Sequence, residues 1–247
     1  IKKKGEVTKG KSFVAPSDEE GTLDIAGGAG FFSQYINLER TAKNDWDLIR
    51  KYRTTAENPE CDQAIEDIIN EAITADEDDT SVKLNLDMTD LSGSIQKKVN
   101  DEFKEVLRLL DWKHKGNDIF KRWYVDSKIF YHIIIDENSP RKGITEVRYI
   151  DPKFIKKVRV IEKTNDRKTM GPAYNIDLVK KTQEFFIFND AGVYPGMTSF
   201  NGPSVKNAQG LKIAPDAITY VTSGIYNPTT KQVYGYLQKA IKPTNQL

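Results

Sequence analysis

Two acids and a base lie close together at Asp136, Glu146 and Arg148. Such a grouping is the raw material of a metal-dependent nuclease, in which carboxylates hold magnesium on a scissile phosphate. Arg148, however, stays protonated and cannot shuttle a proton, and the same acids suit a hairpin end and a solvated strand face. His114 and His132 are the two histidines of the chain. Neither keeps zinc-ligand spacing with carboxylates or with Cys61, and His132, inside an apolar run, reads as a packed side chain. Asp76 to Asp87 imitates a calcium loop, but Val82 stands near the place of the required glycine and Asp87 replaces the bidentate glutamate. Gly27-Gly28-Ala29-Gly30 lacks a preceding apolar strand and a Gly-Lys-Ser/Thr ending, so it reads as a hinge and not as a phosphate cradle. The expectation is therefore no catalytic residue, no metal and no cofactor.

The elements that would carry these residues begin with helices. From Glu39 to about Asp111 the pattern is helical with one break. Trp46, Ile49, Tyr52 and Arg53 share a face, Asn58-Pro59 starts the next helix, and Ile65, Ile68, Ile69, Ala72 and Ile73 repeat at helical spacing. Val82, Leu84 and Leu86 alternate as a short strand. Ser92 or Ser94 can cap a third helix with an apolar stripe at Ile95, Val99, Phe103, Val106, Leu107 and Leu110. Asn117 or Asp118 reads as a further helix start, placing Ile119, Phe120 and Trp123 on one buried face.

Strands follow. Ile129 to Ile135 is aromatic and β-branched and reads as a strand covered on both sides. Asp136 to Gly143 holds Asn138, Ser139, Pro140 and Gly143 and reads as a turn into Ile144 to Ile150, so the two runs form an antiparallel hairpin. Beyond Asp151-Pro152, Val158, Val160 and Phe185 to Phe188 are β-rich, with a charged hairpin tip at Thr164 to Thr169. Asn189 to Gly210 is an exposed loop, and Ile218 to Val221 restores a strand. A helical first half followed by antiparallel strands and hairpins makes the fold class α+β.

At this hairpin the sequence also resembles a known family. KGNDIFKRWYVDSKIFYHIIID, from Lys115 to Asp136, with the following GITEVRYIDP, is similar to the portal proteins of large contractile-tailed bacteriophages. The likeness extends to the helices from Glu39 to Asp76, the DEF run at Asp101 to Phe103, ITYVTSG at Ile218 to Gly224 and the closing GYLQKAIKPTNQL. It covers the chain from about Leu38 onward and none of residues 1–37. The resemblance implies a wing-like α+β domain over 38–231 and the start of a stem helix over 232–247. It implies a homo-oligomeric ring, a dodecamer, at one capsid vertex of the virion, assembled in the host cytoplasm. That ring would nucleate head assembly and pass double-stranded DNA in and out. The partners implied are the major capsid protein, and the terminase and neck proteins through a clip region missing from this chain.

Composition sets the remaining limits. The 247 residues suit one large domain or two small ones, able to bury roughly 70–75% of the unfolded surface. A single cysteine excludes an internal disulfide. The chain starts at Ile1 and its last apolar stripe, Tyr236, Leu237, Ala240 and Ile241, lacks a stop beyond Pro243, so a piece of a longer polypeptide is expected. The basic N-terminus lacks the apolar core of a signal peptide, and no segment reaches the apolar length of about 20 residues that spans a bilayer. With 37 Lys and Arg against 36 Asp and Glu, no cation excess is available to grip a duplex, whereas a conduit for sliding DNA does better without one. Basic clusters remain at Lys2 to Lys4, Lys121-Arg122 and Lys153 to Arg159, read as solvated faces. The candidate partner contacts are Lys156 and Lys157 in the last cluster, and Phe31 and Phe32, which follow the glycine hinge in a flexible N-terminal arm over 1–37. The alternatives are a nucleic-acid-binding module built on the Lys153 to Arg159 face and the nuclease above.

Overall fold

The computed structural model describes residues 20–27, 45–74, 81–165, 177–189, 210–230, 232–244 and 246. The glycine hinge beyond Gly27, Phe31 and Phe32, the Asp76-Glu77-Asp78-Asp79 run, most of the 164–169 tip and most of the 189–210 loop lie outside them. The described helices occupy the first half and strands the second, the α+β arrangement expected from the sequence.

Helix α1 covers 45–56 and α2 Pro59–Ala72. Asn58 caps α2 by accepting from the Glu60 amide at 3.1 Å, with Pro59 in the first turn where no amide is needed. Of the α2 stripe, Ile65 and Ile69 are almost fully buried, whereas Ile68 and Ala72 are exposed, so only part of it faces the core. Helix α3 (Gly93–Leu109) follows Ser92, and α4 runs Trp112–Asp126. The helix start expected at Asn117 or Asp118 is corrected here, because both lie inside α4. Gly116 does not break the helix, since the Trp112 indole packs where its side chain would be, 3.2 Å from an added Cβ. The start lies instead at Asp111, in the left-handed region at φ 51°, its carboxylate 2.7 Å from His114 Nδ1. The short strand expected at Val82, Leu84 and Leu86 is also absent. These side chains alternate in burial with Lys83, Asn85 and Asp87, but no described strand pairs with them.

Three sheets complete the fold. Strand β2 (Lys128–Ile135) pairs antiparallel with β3 (Ile144–Ile150), the hairpin expected, with a single 3-10 turn at Pro140–Lys142 in its loop. Its other edge takes β7 (Ile218–Thr222), giving the order β3-β2-β7. A four-stranded sheet runs β1-β4-β5-β6, with β1 Leu23–Gly27, β4 Ile155–Asn165, β5 Asp177–Phe188 and β6 Leu211–Ile213. Strand β1 lies parallel to β4 while the other pairings are antiparallel. So part of the segment expected as an arm is strand, and the glycines do follow one. Finally β8 (Ile225–Asn227) pairs with β9 (Gln232–Tyr234), after which a 3-10 turn at Tyr236–Lys239 leads into a one-turn helix, α5 (Ile241–Thr244).

Two apolar clusters hold these layers. Tyr52, Ala56, Ile65, Ile69, Val125 and Leu237 join α1, α2, α4 and the C-terminal turn. Phe130, Ile155, Phe186 and Ile218 join the two larger sheets face to face, with Tyr220 stacked on Phe130.

Candidate functional site

The polar groups that the fold gathers most tightly lie at the junction of helix and sheets. Asp45, in the first turn of α1, points its carboxylate at Lys156 of β4, at Lys128 of β2 (3.4 Å) and at the Gln232 amide of β9 (3.3 Å). All three charged groups are buried: the side chains of Asp45 and Lys156 are each 8% exposed and that of Lys128 11%. Burial alone would lift the Asp45 carboxyl, but the two ammonium groups outweigh it and hold the carboxyl below the ordinary aspartate range. Burial, reinforced by Lys156, pushes Lys128 below the ordinary lysine range despite Asp45. One carboxylate thus serves two cations, and it ties α1 to all three sheets.

A second knot sits about two turns further along α1. The Arg53 guanidinium forks onto both oxygens of Asp126 at 2.8 and 2.7 Å and onto both of Asp151 at 2.9 and 3.1 Å. Planar bidentate pairing of this kind needs arginine and not lysine. It clamps the end of α4 and the β3–β4 turn to α1. Burial raises the Asp126 carboxyl above its ordinary range even against Arg53, whereas at Asp151 the Arg53 bonds outweigh burial and lower it. Between the two knots Tyr52 is fully buried. Its hydroxyl accepts from the Gly235 amide at 2.9 Å and donates to Gln238 at 2.7 Å, and burial pushes its ionisation up to about 12.

The basic cluster at Lys153 to Arg159 is therefore not a solvated face. Strand β4 is covered on both sides over residues 155–161, so both parities of its side chains are enclosed there. Lys156 is spent on Asp45. Lys157 reaches Glu20, the Tyr220 hydroxyl (2.7 Å) and Glu184 (3.2 Å), and Arg159 pairs with Asp24 of β1 at 2.7 Å. Glu20 and Tyr220 outweigh burial and raise Lys157 above the ordinary lysine range. Sequence reasoning singled out these lysines but missed Asp45, Lys128, Asp126 and Asp151. The signal lay in ionisable residues bordering apolar runs, whose partners are far away in sequence.

The residues of the nuclease reading do not converge. Arg148 pairs with Glu146 at 2.7 Å on the exposed side of β3, while Asp136 accepts from the Asn138 amide at 2.9 Å in the turn. Cys61 lies against the Thr244 hydroxyl at 3.6 Å. Among the described residues no three His, Cys, Asp or Glu side chains come together to hold a metal ion, and no helix is long and apolar enough to cross a membrane.

These features define an α+β module whose buried charges bind its own layers to one another. Its sequence matches the family described as Bacteriophage T4-like portal protein (Gp20) over residues 45–247. It is 36% identical over 203 residues to the portal protein of Vibrio phage KVP40, covering 81% of this chain and 37% of that protein. It is 25% identical over 245 residues to the portal protein of Salmonella phage ViI, covering 98% of this chain and 42% of that one. The chain belongs to the T4-like portal protein family of bacteriophages, and it spans about two fifths of the length of these curated relatives.

Proposed function

We propose that this chain is the outer, wing-like part of a phage portal subunit. Residues 38–231 together with strand β1 form the body, 232–247 lead into the stem, and the rest of 1–37 contributes an arm whose Phe31 and Phe32 anchor on a neighbour. The whole subunit assembles into a homo-oligomeric ring, a dodecamer, at one vertex of the capsid. That ring forms in the host cytoplasm, nucleates the head and carries double-stranded DNA during packaging and ejection. This part contacts the major capsid protein and adjacent copies, while terminase and neck proteins bind a clip region beyond it. It works by contact and not by catalysis, and needs no cofactor.

The observation that carries this reading is the family match, which runs from the first described residue of α1 to Leu247. The knots at Asp45 and Arg53 support it, because a subunit that transmits force between neighbours needs its helical and sheet layers pinned. A formal charge of +1 suits a wall past which DNA slides, since each neutralised phosphate adds retention. Electron microscopy of the full-length polypeptide tests the reading. Rings with a central channel are expected, and monomers alone at micromolar concentration would overturn it. Phe31→Ala with Phe32→Ala should lower ring yield; unchanged yield and protomer stability would remove the arm's anchoring role.

A further inference from the structure

Where α3 and α4 meet the β2–β3 hairpin, the packing leaves a cavity of about 270 Å³. Leu110 after α3, Ile119 and Arg122 of α4, Tyr131 of β2, and Val147 and Tyr149 of β3 line it. The register explains the floor. Tyr131 stands opposite Tyr149 and Ile133 opposite Val147, and residues two apart on a strand share a face. The two tyrosine rings meet edge to face, with centroids 6.0 Å apart.

The polar groups around this cavity are unspent. Neither phenol hydroxyl has a hydrogen-bond partner among the described residues, and neither is sealed from solvent. Burial raises both phenols above the ordinary tyrosine range, so at neutral pH each stays a protonated donor. The Arg122 guanidinium lies 4.7 Å from the centre of the Tyr149 ring. Stacking uses only its face and leaves the N–H groups in its plane for an anion. Among the described residues no carboxylate takes them, although Asp118 stands one turn earlier on α4 at a spacing that ordinarily pairs. The neighbouring cations differ. Arg53 holds Asp126 and Asp151, Lys121 holds Asp62 and Glu66, and Lys115 holds Asp111 at 3.2 Å.

The walls define what the anion is carried on. An apolar cavity of about 150 Å³ accepts a benzene ring, so this one has room for a single ring with a small polar group beside it. We propose that the cavity binds a carboxylate held close to one aromatic ring. The ring lies against Tyr131, Ile119 and Val147, and the carboxylate accepts from the Arg122 fork and from the tyrosine hydroxyls. This chemistry has two sources, a free aromatic acid and the last residue of a polypeptide that ends in an aromatic side chain. Every group that forms the site lies within one chain, so it stands independently of the ring reading. A cation drawn to Asp118, exposed at the rim, is the opposing outcome.

The test titrates the full-length protein into para-fluorophenylacetate and follows the fluorine NMR line of the acid. Saturable broadening with a Kd of about 1 mM or tighter is expected. The neutral amide of the same acid, and para-fluorobenzylamine, should bind at least about tenfold more weakly. Arg122→Gln should weaken the acid by about tenfold or more and leave the amide unchanged, while Arg122→Lys, which keeps the charge but not the fork, should fall between. Arg122 is exposed, so both variants should melt as the parent does, which separates lost binding from lost fold. No saturable broadening, an amine bound as tightly as the acid, or an acid indifferent to Arg122→Gln would each overturn the site. The N-acetyl derivative of para-fluorophenylalanine separates the sources. Binding as tight as that of the small acid assigns the site to a polypeptide terminus, and weaker binding assigns it to a free acid, the site being upheld in both cases.

Discussion

Replacing Asp45 by Asn tests the central knot most directly. The substitution keeps shape and removes the one carboxylate within reach of both Lys128 (3.4 Å) and Lys156, leaving two ammonium groups in a buried site. Breaking a buried pair by deleting one partner costs about 3–5 kcal/mol. The partner substitution, Lys128→Met, behaves differently. It removes the longer of the two contacts and leaves a balanced Asp45–Lys156 pair, and methionine conserves most of the volume, so the change should stay within about 1 kcal/mol. Urea unfolding followed by circular dichroism measures both.

A pH series adds a second check. Lys128 is held below its unfolded value of about 10.4, so the unfolded chain binds its proton more tightly and stability rises as pH climbs through the folded value towards about 10.4. In Asp45→Asn the lysine range is depressed further, so its deficit should shrink as pH is raised from about 7 to about 10. Equal losses in Asp45→Asn and Lys128→Met, or a deficit independent of pH, would refute the view that one carboxylate is balancing two buried cations.

Two further outcomes follow from the same geometry. Gly235→Ala would bring a Cβ to 3.0 Å of the Tyr52 ring and 3.3 Å of Ser127 Cβ. Tyr52 is fully buried and held at its hydroxyl, so overpacking of about 1–3 kcal/mol should lower the melting temperature by roughly 2–12 °C. Gly93→Ala, where nothing lies within 4 Å of the added carbon, should leave it unchanged or raised, and equal losses at both positions would deny the close approach at Tyr52. On the acid side, Asp45 and Asp151 have folded values below the unfolded value of about 3.9, so their contribution is present above it and lost as pH falls through the folded values. Asp126, raised by burial, has the opposite sign and offsets part of that loss. Stability should therefore fall below about pH 5, and the fall should be shallower in Asp45→Asn; an unchanged slope there would assign the acid limb to other carboxylates.

Local signals in the sequence were strong where one element could be judged alone. The Ile65–Ile69 stripe with Asn58-Pro59 ahead of it could only be a capped helix with a buried face, and the isoleucine run before Asn138, Ser139, Pro140 and Gly143 could only turn back on itself. Signals failed where a neighbour decided the outcome. Gly116 and Asn117 look like a helix start until Trp112 covers the glycine. The stripe on α3 has the same periodicity as that on α2, yet periodicity does not say what lies opposite. Lys156 and Lys157 look solvated because charge in a short basic run ordinarily is. Their burial follows from β4 being sandwiched, and their partners, Asp45 and Glu20, are separated from them by 111 and 137 positions. The family resemblance was legible because it rests on the order of residues in the hairpin run and not on any chemical constellation.

The parallel pairing of β1 with β4 also orders events during synthesis. Arg159 stands 135 positions after its ion-pair partner Asp24. At about 5–20 residues per second a nascent chain exposes β1 for roughly 7 to 27 s before β4 is even made. Helices α1 to α4 and the β2–β3 hairpin leave the ribosome in that interval and can pack from local contacts. The four-stranded sheet closes afterwards, from both ends of the chain, which makes it the step at which a stalled or truncated polypeptide stays open.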